Sequence, residues 1–222
     1  MGRSLKYDIP GTDWRRALVD LAERGLDALF EETLTPPFDV VLEIGFGRGE
    51  FLLDLAAKSP GTAFLGVEVS YKRVLKLARR LARSGLANVR LIEGRAENLI
   101  RDALPEGSLA EVWINFSDPW PKARHAERRL IRPAFVADLA TRLRPGARLH
   151  VATDDVPYAG QIREVLSAEP RLACLHPERP WLPEVAGRMH TGYESEWRAE
   201  GRALHFFEYR RVDAAAEREA ST

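Results

Sequence analysis

A single cysteine, Cys174, is all the sulfhydryl chemistry this chain of 222 residues carries. An internal disulfide framework is thereby excluded, and since Cys174 stands in no ligand-like spacing, its expected role is that of a small packing residue. Long apolar runs are missing as well. Nothing approaches the ~18 residues needed to cross a bilayer, and the opening MGRSLKYDIPGTDWRR lacks the apolar centre of a signal peptide. The expected location is the cytoplasm, with no membrane partner. Net charge is absent too: 33 basic and 33 acidic side chains cancel. Contact with nucleic acid must then come from local patches and not from a global field. Repeats and low-complexity linkers are lacking, and a 45% hydrophobic content suits one main folded domain.

Acids are locally absent in one stretch. From Tyr71 to Arg90 the chain places Lys72, Arg73, Lys76, Arg79, Arg80, Arg83 and Arg90 without a single carboxylate. A second stretch carries Lys122, Arg124, Arg128, Arg129, Arg132, Arg142, Arg144 and Arg148 against only Glu127 and Asp138. A solvated helix face and an anion-binding face both remain open for the first. The second is more suggestive because of the motif it follows.

What is present alternates regularly. Leu18, Leu21, Leu26 and Leu29 predict a helix from Trp14 to about Phe30, stopped by Thr35-Pro36-Pro37. Short apolar runs at 40–44, 63–69, 89–92, 111–116 and 148–152 predict five strands, separated by helical patterns such as Val74, Leu77, Ala78 and Leu81. The expected architecture is an α/β, Rossmann-like, mostly parallel sheet with helices on both faces. A helix around Ile162 and Val165, a short strand at 172–175 and a longer one at 203–212 predict an antiparallel edge and seven strands in all. The organisation reads as an N-terminal helical segment (1–37), a main domain (38–212) and a polar tail (213–222).

VVLEIGFGRGEF sets a glycine-rich turn directly between a strand and a helix, the place where open α/β sheets bind nucleotides. The dinucleotide fingerprint would need a third glycine where Glu50 stands, so a dehydrogenase is disfavoured. Glu43, Glu50 and Asp54 would oppose a pyrophosphate and suit a cation. Glu68, at the end of the next strand, is placed to accept hydrogen bonds from ribose hydroxyls. Glu43-x-Gly45-x-Gly47-x-Gly49 followed by Glu68 resembles the class I methyltransferases, and the resemblance implies S-adenosylmethionine as cofactor. It also implies adenine contacts from Arg95, Ala96 and Glu97, although Arg95 stands where that family often has aspartate.

The fourth strand runs into FSDPWPKARHAERR, from Phe116 to Arg129. This closely resembles the FxDPWPKxRHxxRR pattern of the tRNA (guanine-N7)-methyltransferase family. The resemblance continues through Thr153-Asp154 and through Thr191-Gly192-Tyr193-Glu194, which matches that family's TxYE element. It implies methylation of guanine N7 in the variable loop of tRNA. The partners expected are tRNA and no metal, with a monomer and a homodimer both left open. Ala126 and Glu127 depart from the family by replacing residues that are often basic.

Guanine N7 bears an in-plane lone pair and no proton, so no general base is needed and positioning should dominate. Asp118 is the candidate catalytic carboxylate, placed to stabilise positive charge as it develops on the base and to lie against the cofactor. Lys122, Asp154, Thr191, Tyr193 and Glu194 are candidate substrate contacts, with Asp118, Asp154 and Glu194 sharing the guanine edge in an unassigned way. Arg124, His125, Arg128 and Arg129 are candidate tRNA phosphate contacts. Trp120 and Tyr193 are candidates for stacking on the base, against a core role for Trp120. His205, amid Leu204, Phe206 and Phe207, reads as a packing residue.

Overall fold

The structure is a computed structural model that describes residues 7–213. Residues 214–222 of the polar tail lie outside the described residues, as do residues 1–6. The chain divides into two compact units, one up to Leu104 and one from Pro105 onward.

The first unit contains β1 (Arg15–Arg16), α1 (Leu18–Phe30), β2 (Val40–Ile44), α2 (Glu50–Lys58), β3 (Ala63–Glu68), α3 (Tyr71–Ser84), β4 (Val89–Glu93) and α4 (Ala96–Asn98), which runs on into a single wider turn over Leu99–Ala103. Its strands lie in the order β1-β4-β3-β2, all parallel. Every residue of β2 and β3 is buried, as expected for strands covered on both faces. That is why these runs, Glu43 and Glu68 apart, are apolar and do not alternate.

The N-terminal helix starts later than its periodicity predicts. Arg15 and Arg16 pair with Leu91 and Ile92 of β4, and this ladder draws residues 14–16 out of the helix. Asp20 then accepts from the Ala17 backbone N–H at 3.1 Å to open α1. Gly25, at φ 77°, breaks α1 midway.

Arg90 departs most from the sequence reading. Instead of joining a surface patch it is fully buried, its guanidinium 4.2 Å from the Trp14 ring centre and 4.6 Å from that of Phe30. It donates to the carbonyls of Leu29 (2.6 Å), Ala87 (2.8 Å) and Val89 (3.0 Å) and to Thr33 Oγ1 (3.0 Å). Burial pulls its pKa down to about 10, with nearby Arg16 adding to the effect. Arg90 is a tether for the N-terminal segment.

The second unit contains β5 (Leu109–Asn115), a 3-10 segment (Ala123–Arg128), α5 (Pro133–Arg142), β6 (Leu143–Thr153), α6 (Val156–Ala168), β7 (Leu172–Cys174), α7 (Gly192–Ala199) and β8 (His205–Arg211). Here the order is β5-β6-β8-β7, with β5 and β6 parallel and β8 antiparallel to both β6 and β7. The antiparallel edge is as expected, but the strands among the described residues number eight where seven are expected, because β1 forms in a segment whose periodicity reads as helix. β6 begins earlier than predicted, at Leu143, and a register shift between Leu109 and Glu111 absorbs the Pro145-Gly146 corner. Cys174 is half-buried in β7. No helix among the described residues is long and apolar enough to cross a membrane.

Candidate active site

In the first unit the turn between β2 and α2 is shaped by glycine. Gly45, Gly47 and Gly49 all have positive φ, between 54° and 71°, a region that side chains other than glycine rarely enter. A Cβ at Gly49 would collide with Leu77 of α3, so this glycine lets the α2 start close on α3. A Cβ at Gly45 would meet no atom within 4 Å. The backbone there borders open space, as the cradle of a ligand requires.

Glu68 organises this turn. It is 3% exposed; one carboxylate oxygen accepts from the Gly47 N–H at 3.1 Å, the other from the Ser70 N–H at 3.0 Å, and Arg73 stands 3.4 Å away. Glu43, similarly buried in β2, lies opposite Gly66 of β3. The positive-φ glycines, the open space at Gly45 and two buried carboxylates fit a ligand carrying a cation and a ribose.

Farther along the same edge, Gly94 and Arg95 line an open cleft of about 560 Å³ with Val69, Glu93 and the strand residues Arg15 and Arg16. Arg95 is exposed and paired with Glu97 at 3.2 Å, while Ala96 is buried. The wall contributed by residues 13–18 has no sequence signature, because the periodicity there reads as helix.

In the second unit, Asp118 is exposed on the turn after β5. Phe116 (φ 55°) and Trp120 (φ 44°) flank it, and they are the two non-glycine residues with positive φ among the described residues. Such conformations cost on the order of 1–3 kcal/mol each and persist only where the surroundings impose them. Several groups do so here. The Phe116 N–H donates to the Ala152 carbonyl at 2.8 Å, and the ring meets Trp197 edge-on. Ser117 lies 3.4 Å from the hydroxyl of buried Tyr158, which accepts from the Ile131 N–H at 3.0 Å.

Arg129 closes the other side. It is 8% exposed, donates to the Pro119 carbonyl at 2.7 Å and to Gln161 Oε1 at 2.6 Å, and lies over the Tyr158 ring. The expected phosphate contact does not suit a guanidinium committed inward, and Arg129 is a brace of the Asp118 turn. Lys122, Arg124 and Arg128 do face solvent. Arg128 covers Trp120 at 5.1 Å and His125 meets that ring edge-on, so half-buried Trp120 is partly occupied by its own neighbours.

The remaining candidates gather around α7. Thr191 caps the helix, its Oγ1 accepting from the Glu194 N–H at 3.1 Å, and Tyr193 stacks on Trp197. Glu194 is fully buried. Arg188 and Arg198 hold it from two sides, Arg198 at 3.2 Å, and Arg188 also donates to Asn115 Oδ1 at 2.8 Å. Asp154 is bound by Arg202 at 3.1 Å. Of the three carboxylates expected to share a guanine edge, Asp118 alone is exposed. Sequence reasoning missed Arg188, Asn115 and Arg202, none of which has a spacing that would mark it. His205 is buried against Trp181, and burial lowers its pKa while Asp154 and Asp155 oppose that shift.

Comparison with known proteins adds lineage to this geometry. A family model described as "Putative methyltransferase" matches residues 38–207. The tRNA (guanine-N(7)-)-methyltransferase of Halorhodospira halophila is 40% identical over 206 residues, covering 91% of this chain and 87% of that protein. That of Streptomyces avermitilis is 39% identical, with coverage of 90% and 68%, and that of Paracidovorax citrulli is 44% identical, with 78% and 69%. Among solved structures, the aminoglycoside resistance methyltransferase NpmB1 superposes with a TM-score of 0.58 at 19% identity, over 84% of this chain and 94% of that one. The 16S rRNA methyltransferase KamB gives 0.59 at 18%, over 85% and 94%. These two show the class I methyltransferase fold. With relatives of that identity matched over most of its length, the chain belongs to the tRNA (guanine-N7)-methyltransferase family.

Proposed function

We propose that the chain methylates guanine N7 in the variable loop of tRNA, using S-adenosylmethionine. When bound, the cofactor supplies an electrophilic methyl group. The observation that carries the reading is the exposed carboxylate of Asp118, held between two left-handed residues and followed by solvent-facing Lys122, Arg124 and Arg128.

Guanine N7 needs no deprotonation, so the protein's work is alignment and charge stabilisation. Alignment of reacting atoms at about 3 to 3.5 Å removes several kcal/mol from a barrier. A methylated guanine is cationic, and the Asp118 carboxylate opposes that charge without having to move a proton. Lys122, Arg124 and Arg128 hold phosphates beside the turn, with Tyr193 placed for stacking. Glu43, the glycine turn and Glu68 hold the cofactor, and Arg95, Ala96 and Glu97 border its adenine. Residues 38–212 form the methyltransferase domain. The enzyme works in the cytoplasm as a monomer or homodimer, and no metal enters the reaction.

Incubating unmodified tRNA with methyl-labelled S-adenosylmethionine and digesting it to nucleosides tests this. Label is expected in 7-methylguanosine alone. Label in another nucleoside, or none, refutes the assignment.

A further inference from the structure

The helix α3 carries Lys72, Arg73, Lys76, Arg79, Arg80 and Arg83 with no acidic residue between Tyr71 and Ser84. Its inner face is settled, since Val74, Leu75, Leu77, Ala78 and Leu81 are buried. Lys72, Arg73, Lys76, Arg80 and Arg83 are exposed. Three of the cations have local duties: Arg73 reaches Glu68, Arg80 donates to the Arg48 carbonyl at 2.9 Å and Arg79 donates to the Asp8 carbonyl. Lys72, Lys76 and Arg83 meet no carboxylate on α3 itself.

This pattern works against the helix. Side chains three and four residues apart are neighbours on a helix surface, and like charges there are destabilising. Lys76 has Lys72, Arg73, Arg79 and Arg80 at those spacings, all of its own sign. Lys72 and Arg73 also sit in the first turn, where the positive end of the helix dipole opposes them. A face that need only be wetted could intersperse glutamates and gain from the same spacings. The chain as a whole has equal numbers of acids and bases, so the segregation is no by-product of a basic composition. A ligand with regularly repeated negative charge relieves it. With a rise of 1.5 Å per residue, cations four apart recur about every 6 Å along the face, suited to a phosphate backbone.

We propose that the exposed face of α3 is a second RNA-binding surface, holding the tRNA backbone through its phosphates without reading bases. The proposal rests on tRNA being the substrate. Its role is affinity and not chemistry.

The test uses the full chain with Lys72→Gln, Lys76→Gln and Arg83→Gln combined, leaving Arg73 and Arg80 intact beside the cofactor turn. Binding of unmodified tRNA is measured over a range of salt concentrations. The log–log slope should become shallower by about 2 to 3, with kcat at saturating tRNA and cofactor affinity unchanged. A second variant, Lys76→Glu, should raise the melting temperature while weakening tRNA binding, because it replaces four repulsive pairs with attractive ones. An unchanged slope in the triple variant, or unaltered tRNA affinity in Lys76→Glu, overturns the assignment of α3 alone. Wild-type protein that binds no tRNA overturns the substrate reading and this proposal with it.

Discussion

Arg188 and Glu194 form a buried ion pair, their side chains 3% and 0% exposed, and through Asn115 the same guanidinium reaches the end of β5. Breaking such a pair leaves a charge without its partner in a low-dielectric site. Arg188→Ala should destabilise the protein by about 3 kcal/mol, read as a fall in the urea midpoint. Arg188→Lys should recover only part of this, because an ammonium lacks the planar fork that serves Glu194 and Asn115 together. A wild-type midpoint in Arg188→Ala would show that the pair is incidental.

Arg129 and Arg128 are adjacent in sequence and opposed in role. Arg128→Ala should reduce the salt slope of tRNA binding by about 1. Arg129→Ala should leave that slope unchanged and lower kcat, since it removes the brace on the Pro119 carbonyl. Equal slopes for both variants would return Arg129 to the phosphate contacts.

For Glu68, loss of the carboxylate removes the acceptor for two backbone N–H groups at once. Hydrogen bonds to charged groups contribute about 1.5–3 kcal/mol, so Glu68→Ala should weaken S-adenosylmethionine binding by roughly 10- to 100-fold in calorimetry. An unaltered Kd would displace the cofactor from this turn.

Asp118→Ala should lower kcat by about 100-fold or more while cofactor affinity and melting temperature stay near wild type, because the side chain is exposed. Near-normal turnover would remove its assigned role.

His150 lies between two carboxylates, with Glu111 at 2.8 Å and Glu208 at 3.2 Å, and stacks on Trp113. Burial opposes its charge, but the two carboxylates facing the ring outweigh burial and raise its pKa above 6.5. A base with a raised folded pKa contributes fully below its unfolded value, and the contribution is lost as pH rises through the folded value. Glu208 is shifted the other way, below 4.5, chiefly by the His150 ring against it. Its contribution is present above that value and lost as pH falls through the folded one. The melting temperature of wild type should therefore exceed that of His150→Gln most between about pH 4.5 and 6.5, and the gap should close in alkali. A gap that is constant with pH would mean that His150 is neutral throughout.

Much of this was legible in the chain. The strand runs of β2 to β6, the glycine turn and the Asp118 motif are local signals, written in adjacent residues. What escaped the sequence depends on pairing at long range. Arg15 and Arg16 looked helical because their ladder partner, β4, lies more than seventy residues away. Arg90 and Arg129 looked like surface cations because charge says nothing of burial, and only the carbonyls of Leu29 and Pro119 reveal where they point. The TxYE element is a local motif, but its inward orientation has no local sign, since Arg188 carries no motif of its own.

The Trp14–Arg90–Phe30 sandwich bears on where the chain can be cut. Trimming to residue 38, where the family model begins, would remove both rings, the Leu29 carbonyl and the Thr33 hydroxyl from a cation embedded in β4. A shortened enzyme made for crystallisation or fusion should keep its new start upstream of Trp14, or carry an apolar residue at position 90 to match the loss.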